Sequence, residues 1–273
     1  MSLKLMYITN RPNVAKIAED SGVQRIFVDL EWMGKELRQP GDTVKSAHTI
    51  KDIYDVKKEL EIAQLLARVN PLHENSKMEI SACVEAGADI VMLPMAKSLD
   101  EVKRFVDYTG SKAKTMLLLE TKEAVNDLDA ILQVEGIDEI HIGLNDLHLS
   151  YKKKFMFELL ADGTVEKLCH QIKRSQKPYG FGGIARIGFG LLPAEHIIAE
   201  HYRLGSGAAI LSRSFCNIKE LTDEDEIRML FVEGVRNIRA CEARVAGFSS
   251  KELEENRMQT VRMVEEICKR EHG

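Results

Sequence analysis

The sequence has few of the features that mark disordered, membrane-spanning or fibrous proteins. Only 6 of its 273 residues are proline, and 44% are hydrophobic against 30% charged, a balance typical of an ordinary globular chain. Its longest apolar runs, such as MLLLE and IVMLPM, fall far short of the roughly 18 residues that a membrane span needs. We therefore expect a folded protein that does not enter a membrane.

Cysteines are few, and they are widely spaced. There are five, and no C-x-x-C pair occurs among them. This pattern excludes a disulfide framework and a zinc knuckle, and it predicts buried, reduced thiols. The first residues, MSLKLMYITNRPNV, also lack the apolar stretch and cleavage site of a signal peptide, so we expect a cytoplasmic protein.

The sequence has no excess of positive charge. Its 38 basic and 43 acidic residues give a formal charge of -5, and the basic residues do not form a stripe. Because nucleic-acid binding depends on clustered positive charge, this balance argues against a nucleic-acid partner.

A short apolar run followed by an amphipathic helical stretch is the dominant pattern, and it repeats about eight times. Such alternation is typical of parallel-sheet α/β proteins, and eight strands close a (β/α)8 TIM barrel, which routinely has about 250 residues in one domain. The predicted strands are residues 3–9, 25–31, 64–70, 89–95, 114–120, 138–144, 179–185 and 207–212.

Helices are predicted between these strands, and more helix follows the last one. The predicted helices are 13–20, 49–60, 75–86, 98–108, 121–134, 155–176 and 193–204. Residues 218–273 hold two further helical patterns, which predict a C-terminal helical extension that packs on the barrel or on a neighbouring subunit. No linker rich in Gly, Pro or Ser is present, so we expect residues 1–273 to form a single TIM-barrel domain.

Two acidic residues follow successive predicted strands, at the end of the barrel where active sites lie. Glu120 closes KTMLLLE, and Asp146 follows DEIHIGL in the segment GLND. Two such carboxylates can share one hard cation, Mg²⁺ or Mn²⁺, that keeps water and substrate ligands. The alternatives are that Glu120 caps the helix that begins at Thr121 and that Asp146 is a turn residue.

Arg68 closes the strand QLLARVN at the same end. Its guanidinium could oppose the charge of a carboxylate or an enolate oxygen, or it could form a salt bridge at the rim. A metal beside an arginine suits an enolate intermediate and therefore points to aldol chemistry. The segment Gly143-Leu144-Asn145-Asp146 could also offer backbone N–H groups to a substrate carboxylate.

Several segments together resemble one family. FVDLEW, LLARVNP, IVMLPMAKSLDEV, LLLETKEAVNDLDAIL and VEGIDEIHIGLNDLHLS are similar to the HpcH/HpaI aldolase family, kin of the citrate lyase beta subunit, over roughly residues 5–215. The resemblance implies a class II metal-dependent aldolase, a homo-oligomer, that cleaves a 4-hydroxy-2-oxo acid to pyruvate or a similar 2-oxo acid plus an aldehyde.

The same resemblance assigns roles to particular residues. It implies that Glu120 and Asp146 bind the metal, that Arg68 is catalytic and binds substrate, and that the amides of Gly143 and Asn145 bind substrate. Asp29 and Glu31 would lie near the metal and its waters, in the substrate site.

The chain departs from the family pattern at one position that bears on proton transfer. Trp32 stands where aldolases of this family carry a histidine that acts as general base. Because tryptophan cannot accept a proton, either metal-bound water or His48 is the base, or the reaction is different. Two other functions therefore stay open: a lyase of acyl-CoA thioesters of the malyl- or citryl-CoA type, and a binding protein that has lost catalysis.

Lysines bear on the choice between metal and imine chemistry. Lys35, Lys97 and Lys122 follow predicted strands, but none lies within an apolar run where loss of water would lower its pKa. The sequence therefore favours a metal over a Schiff base.

Overall fold

The structure is a computed structural model that describes residues 2–34, 48–212, 215–217, 221 and 223–270. Lys35 lies outside the described residues, as do parts of the predicted C-terminal extension, at 218–220, 222 and 271–273.

The described strands form one parallel sheet that closes on itself. They are β1 Lys4–Ile8, β2 Arg25–Asp29, β3 Gln64–Arg68, β4 Ile90–Leu93, β5 Lys114–Leu119, β6 Glu139–Ile142, β7 Tyr179–Phe181, β8 Gly183–Ile184 and β9 Ala208–Leu211. The order in the sheet is β7-β6-β5-β4-β3-β2-β1-β9-β8. Because β7 and β8 are two pieces of the predicted strand 179–185, both edges of the sheet belong to one stretch of chain. The predicted TIM barrel is confirmed.

Glycines explain the break between β7 and β8. Gly182 has a φ of +50°, and a Cβ atom added there would lie 2.8 Å from Cδ1 of Leu144. A Cβ at Gly180 would clash with the carbonyl oxygen of Ala208. These glycines therefore serve the tight packing of the barrel wall, which a side chain at either position would disturb.

Helices surround the barrel and follow the strands. Those among the described residues are α1 Pro12–Asp20, α2 Ile50–Glu59, α3 Ser76–Glu85, α4 Leu99–Thr109, α5 Lys122–Asn126, α6 Leu128–Leu132, α7 Leu144–Ser150, α8 Glu158–Ala161, α9 Thr164–Arg174, α10 Ala194–Leu204, α11 Glu224–Val245 and α12 Ser250–Arg270. No described helix is both long and apolar enough to cross a membrane.

Two predicted helices are broken in the structure. The predicted helix 121–134 becomes α5 and α6, which meet at Asp127, and the predicted helix 155–176 becomes α8 and α9. The second break falls at Gly163, whose φ of +83° is left-handed backbone that ends a helix. The helical period of the sequence did not predict either break, because the helices before and after each break both bury apolar side chains.

The last two helices pack on the barrel of their own chain. α11 contacts α1 and α10, and α12 contacts α8 and α10. The start of α12 has a reciprocal cap. The Ser249 N–H donates to Glu252 over 2.7 Å, and the Glu252 N–H donates to the Ser249 hydroxyl over 3.3 Å.

Side chains fill the barrel interior in layers. In a closed sheet every second residue faces inward. The middle layer is apolar and is formed by Met6, Phe27, Leu66, Ile90, Met92, Met116, Leu118 and Ala208. Apart from His141 on β6, which pairs with Leu118 of this layer, the inward polar side chains of the described strands lie at the two ends of the barrel.

An ion pair closes the amino-terminal end. Arg25 on β2 is fully buried, and its Nη1 and Nη2 atoms each lie 2.6 Å from a carboxylate oxygen of Glu139 on β6, the strand opposite. Burial raises the pKa of Glu139, but Arg25 outweighs this effect and the net pKa is lowered. The pair therefore stays charged and neutralised inside the floor of the barrel.

Two buried histidines lie near β6 and β7. The His141 Nε2–H donates to the Gly182 carbonyl oxygen over 3.1 Å, and His201 on α10 stacks on Phe181 with ring centroids 3.8 Å apart. Burial lowers the pKa of His141 to about 4 and that of His201 to about 3. Both are therefore neutral in the folded protein at neutral pH.

These histidines should make stability depend on pH. The unfolded chain binds protons near the ordinary histidine pKa of about 6.5 and the folded chain does not, so stability is lost as the pH falls below this value, by about 2 kcal/mol per histidine between about pH 7 and about pH 5. His201→Gln should remove about half of this loss, measured as the free energy of unfolding in urea. Comparison with the wild type cancels the carboxylates that both proteins share.

His170→Gln is the matched control, because His170 is exposed and water can solvate its charge. It should keep the wild-type dependence on pH. An unchanged profile in His201→Gln would contradict the assignment of the loss to these buried histidines.

Candidate active site

Five charged residues meet at the carboxyl end of the barrel. Asp29 is the last residue of β2, and Glu31 lies two residues beyond it. Arg68 ends β3, Glu120 follows β5, and Asp146 lies in α7, shortly after β6. Asp29, Glu31 and Glu120 are 2–3% exposed. The structure thus brings together the carboxylates and the arginine that the sequence indicated.

Arg68 is paired, and the pairing fixes its orientation. Nε lies 2.8 Å from Oδ1 of Asp29 and 3.3 Å from Oε2 of Glu31, and Nη2 lies 2.8 Å from Oδ2 of Asp29. The guanidinium also lies over the Phe27 ring at 5.3 Å. The salt-bridge interpretation of Arg68 is therefore confirmed. Its role toward a carboxylate or an enolate stays a prediction, for which Nη1 is available because it makes no hydrogen bond to the described residues.

The charges around Arg68 govern its protonation. Burial lowers the pKa of Arg68, but the charges of Asp29 and Glu31, with a contribution from Glu120, outweigh burial and raise the pKa above its ordinary value. Arg68 is therefore a permanent cation at the mouth of the barrel.

Glu120 carries the most perturbed carboxyl group of the site. Its Oε1 accepts a hydrogen bond of 3.0 Å from the Met95 N–H. Burial and the nearby charge of Asp146 raise the pKa of Glu120 well above its usual range, although Arg68 opposes the shift. Glu120 does not cap the following helix, because the Thr121 hydroxyl accepts from the Ala124 N–H in that role. This alternative is wrong.

Asp146 belongs to a helix. The segment GLND, expected to be a loop, forms the start of α7, in which Asp146 occupies the third position. The Gly143 N–H donates to the Leu119 carbonyl oxygen over 3.0 Å, so this amide already has a partner. The first amides of α7, at Leu144 and exposed Asn145, have no partner within the helix.

The absence of a side chain at Gly143 leaves room for the carboxylate of Glu120. A Cβ atom at Gly143 would lie 2.7 Å from Oε2 of Glu120, 3.0 Å from its Cβ and 3.1 Å from Cδ1 of Leu118. The glycine therefore matters here through close packing against the carboxylate.

His48 reaches the site, but as a hydrogen-bond acceptor. The backbone N–H of Asp29 donates to Nδ1 of His48 over 3.0 Å. Since Nδ1 must then be unprotonated, a neutral His48 carries its proton on Nε2. In this tautomer His48 cannot accept a substrate proton at Nε2.

Asn70 is a site residue that the sequence did not single out. Its Oδ1 accepts hydrogen bonds from the N–H groups of Trp32 (3.0 Å) and Met33 (3.1 Å). The sequence feature that could have identified Asn70 is its position, because it is the polar last residue of the predicted strand that also carries Arg68.

The described side chains at the mouth could supply only part of the coordination shell of a hard divalent cation. No group of three or more His, Cys, Asp or Glu side chains in the described part of the chain is arranged to hold a metal. Asp29 pairs with Arg68, whereas Glu120 and Asp146 are close enough that burial and then the charge of Asp146 raise the pKa of Glu120. Two carboxylates with water and substrate are a common set for Mg²⁺, which keeps several waters.

A surface cleft of about 730 Å³ lies elsewhere, between α6 and α9 on the outer helical layer. It is lined by Asp129, Gly163, Glu166, Lys167, His170, Gln171 and Arg174. Internal contacts already use several of these groups, such as Gln171 with Asp129 and Glu166 with Arg203. The mouth, where like charges crowd together, is therefore the better candidate site.

The comparison with protein families agrees with this geometry. The model of HpcH/HpaI aldolase/citrate lyase matches residues 4–158, more than half of the chain. The chain belongs to this family. The matched residues contain Asp29, Glu31, Arg68, Glu120 and Asp146, so the whole charged cluster lies within the part that defines the family.

Individual relatives are more distant. The 2-keto-3-deoxy-L-rhamnonate aldolases of Salmonella paratyphi B and Salmonella newport are 25% identical over a 167-residue alignment, with coverage of 50% of this chain and 57% of each relative. The chain thus spans little more than half the length of these curated relatives.

Solved structures support the fold. An HpcH/HpaI aldolase from Desulfitobacterium hafniense superimposes with a TM-score of 0.61 at 16% identity and covers 87% of this chain and 93% of its own. A variant of the citrate synthase SbnG gives a TM-score of 0.59 at 17% identity and covers 77% and 85%. At such identities the likeness shows the barrel architecture alone.

Gly143→Ala should displace Glu120, because the new methyl group would overlap its carboxylate. We expect the affinity for Mn²⁺, measured by calorimetry, to fall by about tenfold or more, as for other changes that disturb the positioning of a metal ligand. The matched control is Gly207→Ala, where the added Cβ meets only the Tyr179 carbonyl oxygen at 3.8 Å. Equal Mn²⁺ affinity in the two variants would show that Glu120 does not bind the metal.

Proposed function

We propose that this protein is a divalent-metal-dependent carbon–carbon lyase, a class II aldolase that cleaves a 4-hydroxy-2-oxo acid to pyruvate or a similar 2-oxo acid plus an aldehyde. The observation that carries the proposal is the cluster at the mouth, where Asp29, Glu31, Glu120 and Asp146 lie near Arg68 among the described residues. Membership of the aldolase family and the names of the curated relatives support the same reaction class.

In this proposal Glu120 and Asp146 hold Mg²⁺ or Mn²⁺. Their mutual repulsion, which raises the pKa of Glu120, would be relieved by a cation between them. When bound, the metal supplies a Lewis acid for the carbonyl of the 2-oxo acid.

Arg68 stabilises the charge that develops during cleavage. As the carbon–carbon bond breaks, its electron pair becomes the enolate of the 2-oxo acid, and negative charge grows on oxygen. The Nη1 group of Arg68 can donate to that oxygen or to the substrate carboxylate, while Asp29 holds the other side of the guanidinium. Asp29 and Glu31 therefore act on substrate through Arg68.

The proton of the substrate hydroxyl requires an acceptor. Trp32 cannot accept it, and His48 carries its own proton at Nε2 in the tautomer that the Asp29 N–H selects. Water in the mouth is the acceptor that this arrangement supports. His48 is better suited to fix the backbone of Asp29, whose N–H it accepts.

The proposal includes two expectations about the whole protein, a homo-oligomeric state and a cytoplasmic location. Small-molecule 2-oxo acids and aldehydes are its partners. Light scattering of the purified protein measures the first expectation, and cell fractionation measures the second.

Glu120→Gln and Asp146→Asn should each weaken Mg²⁺ and Mn²⁺ binding by at least about a hundredfold, because each removes a charged ligand from a site that has only two. Metal-dependent release of pyruvate from hydroxy-oxo acids should disappear with it, while circular dichroism stays unchanged. Glu166→Gln, on the outer surface, is the control. Unchanged metal affinity in both site variants would refute the proposed site, and no pyruvate release from any substrate by the wild type would refute the reaction.

Arg68→Lys should lower kcat by about a hundredfold to a thousandfold, because a lysine keeps the charge but cannot pair with Asp29 at two points and still donate to the substrate. Arg203→Lys, which alters a similar pairing with Glu200 on α10 and Glu166 on α9, should leave kcat unchanged. Steady-state kinetics would decide, and equal kcat values for Arg68→Lys and the wild type would contradict the role of the guanidinium.

A further inference from the structure

Trp32 is the single tryptophan of the chain, and it is 66% exposed. Large aromatic side chains usually bury most of their surface, so an exposed one beside a candidate active site suggests a ligand contact. Its neighbour in sequence, Glu31, is 2% exposed and lies 3.3 Å from Arg68. Trp32 is therefore an exposed residue that directly follows a buried member of the charged cluster.

The backbone that carries the indole is held firmly. Asn70 is 6% exposed, and its Oδ1 accepts from the N–H groups of both Trp32 and Met33. One buried side-chain oxygen thus fixes two successive peptide groups, which sets the direction in which the indole leaves the chain.

A second layer of hydrogen bonds fixes Asn70 itself. Its Nδ2 donates to Oε1 of Glu79 over 2.7 Å, and Oε2 of Glu79 lies 3.0 Å from Nε2 of His73. Nδ1 of His73 in turn accepts from the Asn75 N–H over 3.3 Å. The network anchors Trp32 to α3, which carries Glu79, and an exposed side chain without a role would not need such support.

The filled barrel determines where a substrate can extend. Below the charged cluster the interior is occupied by Phe27, Leu66, Met116 and Leu118. A 2-oxo acid held between Arg68, Glu120 and Asp146 can therefore project the rest of its chain only outward, past the rim.

From this geometry we infer that Trp32 is a specificity-determining residue that forms a wall of the subsite for the aldehyde half of the substrate. The inference rests on the proposed aldolase function. The indole face suits an uncharged aldehyde whose carbon chain lays its C–H bonds against the ring. An anionic aldehyde is disfavoured, because the carboxylates of Asp29 and Glu31 lie in the segment that leads directly to Trp32 and would repel it.

Kinetics with matched aldehydes test the inference in the direction of aldol synthesis. In Trp32→Ala the KM for butanal should rise about tenfold, as loss of one well-packed aromatic contact would predict, while the KM for pyruvate stays unchanged. The KM for acetaldehyde, which is too short to cover the ring, should change little. Trp32→Phe should restore most of the butanal affinity, and 4-oxobutanoate should bind the wild type less tightly than butanal.

Two further variants sharpen the test. Asn70→Ala releases the Trp32 backbone and should raise the KM for butanal in the same direction, again without effect on pyruvate. Tyr54→Ala removes an equally exposed aromatic ring from α2, away from the mouth, and should change neither constant. An unchanged KM for butanal in Trp32→Ala, or an equal rise for pyruvate, would overturn the inference.

The single tryptophan also permits a direct binding measurement. Adding butanal to wild-type protein with Mg²⁺ and oxamate, an unreactive pyruvate analogue, should change tryptophan fluorescence with a half-saturation close to the KM. Absence of any change would overturn the inference.

Exchange of the pyruvate methyl hydrogens with deuterium separates the two proposals, because it needs the metal and Arg68 but no aldehyde. Exchange in both wild type and Trp32→Ala, with no effect of the variant on butanal, would refute the role of Trp32 and leave the proposed function intact. No exchange in the wild type would refute the proposed function and this inference with it.

Discussion

Inward and outward alternation in a closed barrel is the constraint on which the rest of this structure depends. On β2 it places Arg25, Phe27 and Asp29 inside the barrel, one in the floor, one in the middle and one at the mouth. The middle layer must be apolar because no water reaches it. Charged side chains are therefore forced to the two ends, and each end develops its own character from the strands that supply it.

Charge balance distinguishes the two ends. In the floor, Arg25 meets Glu139 in a two-point pair, so charge is neutralised and the pair serves the closure of the barrel. At the mouth, four carboxylates lie near Arg68 among the described residues, and burial together with the charge of Asp146 raises the pKa of Glu120. A buried carboxyl group that resists ionisation would gain from a bound cation, and this contrast supports the proposal that the mouth binds a metal.

The rim shows how the proposed reaction could be adapted in this chain. Trp32 stands where related aldolases have a histidine, and His48 uses its Nδ1 to accept the Asp29 N–H. In the proposed reaction, Arg68 and the metal stabilise the enolate, and proton transfer is assigned to water. Around Trp32, the hydrogen bonds of Asn70 with the Trp32 backbone and with Glu79 hold the chain in place.

Local pattern in the sequence determined the barrel and the identity of its main site residues. The apolar pattern of a strand and the polar residue at its end are close together in the sequence, so Arg68, Glu120 and Asp146 could be predicted to share one end of the barrel. Glycines such as Gly205, with a φ of +72°, could be predicted to end helices. Only the tertiary structure decided which groups pair: Arg68 with Asp29, 39 residues away, Glu120 with the Met95 amide, and Asn70 with Trp32. The helix at Asp146 and the tautomer of His48 were decided in the same way. These contacts depend on the register and spacing of strands that are distant in sequence, and no local pattern of residues encodes such distances.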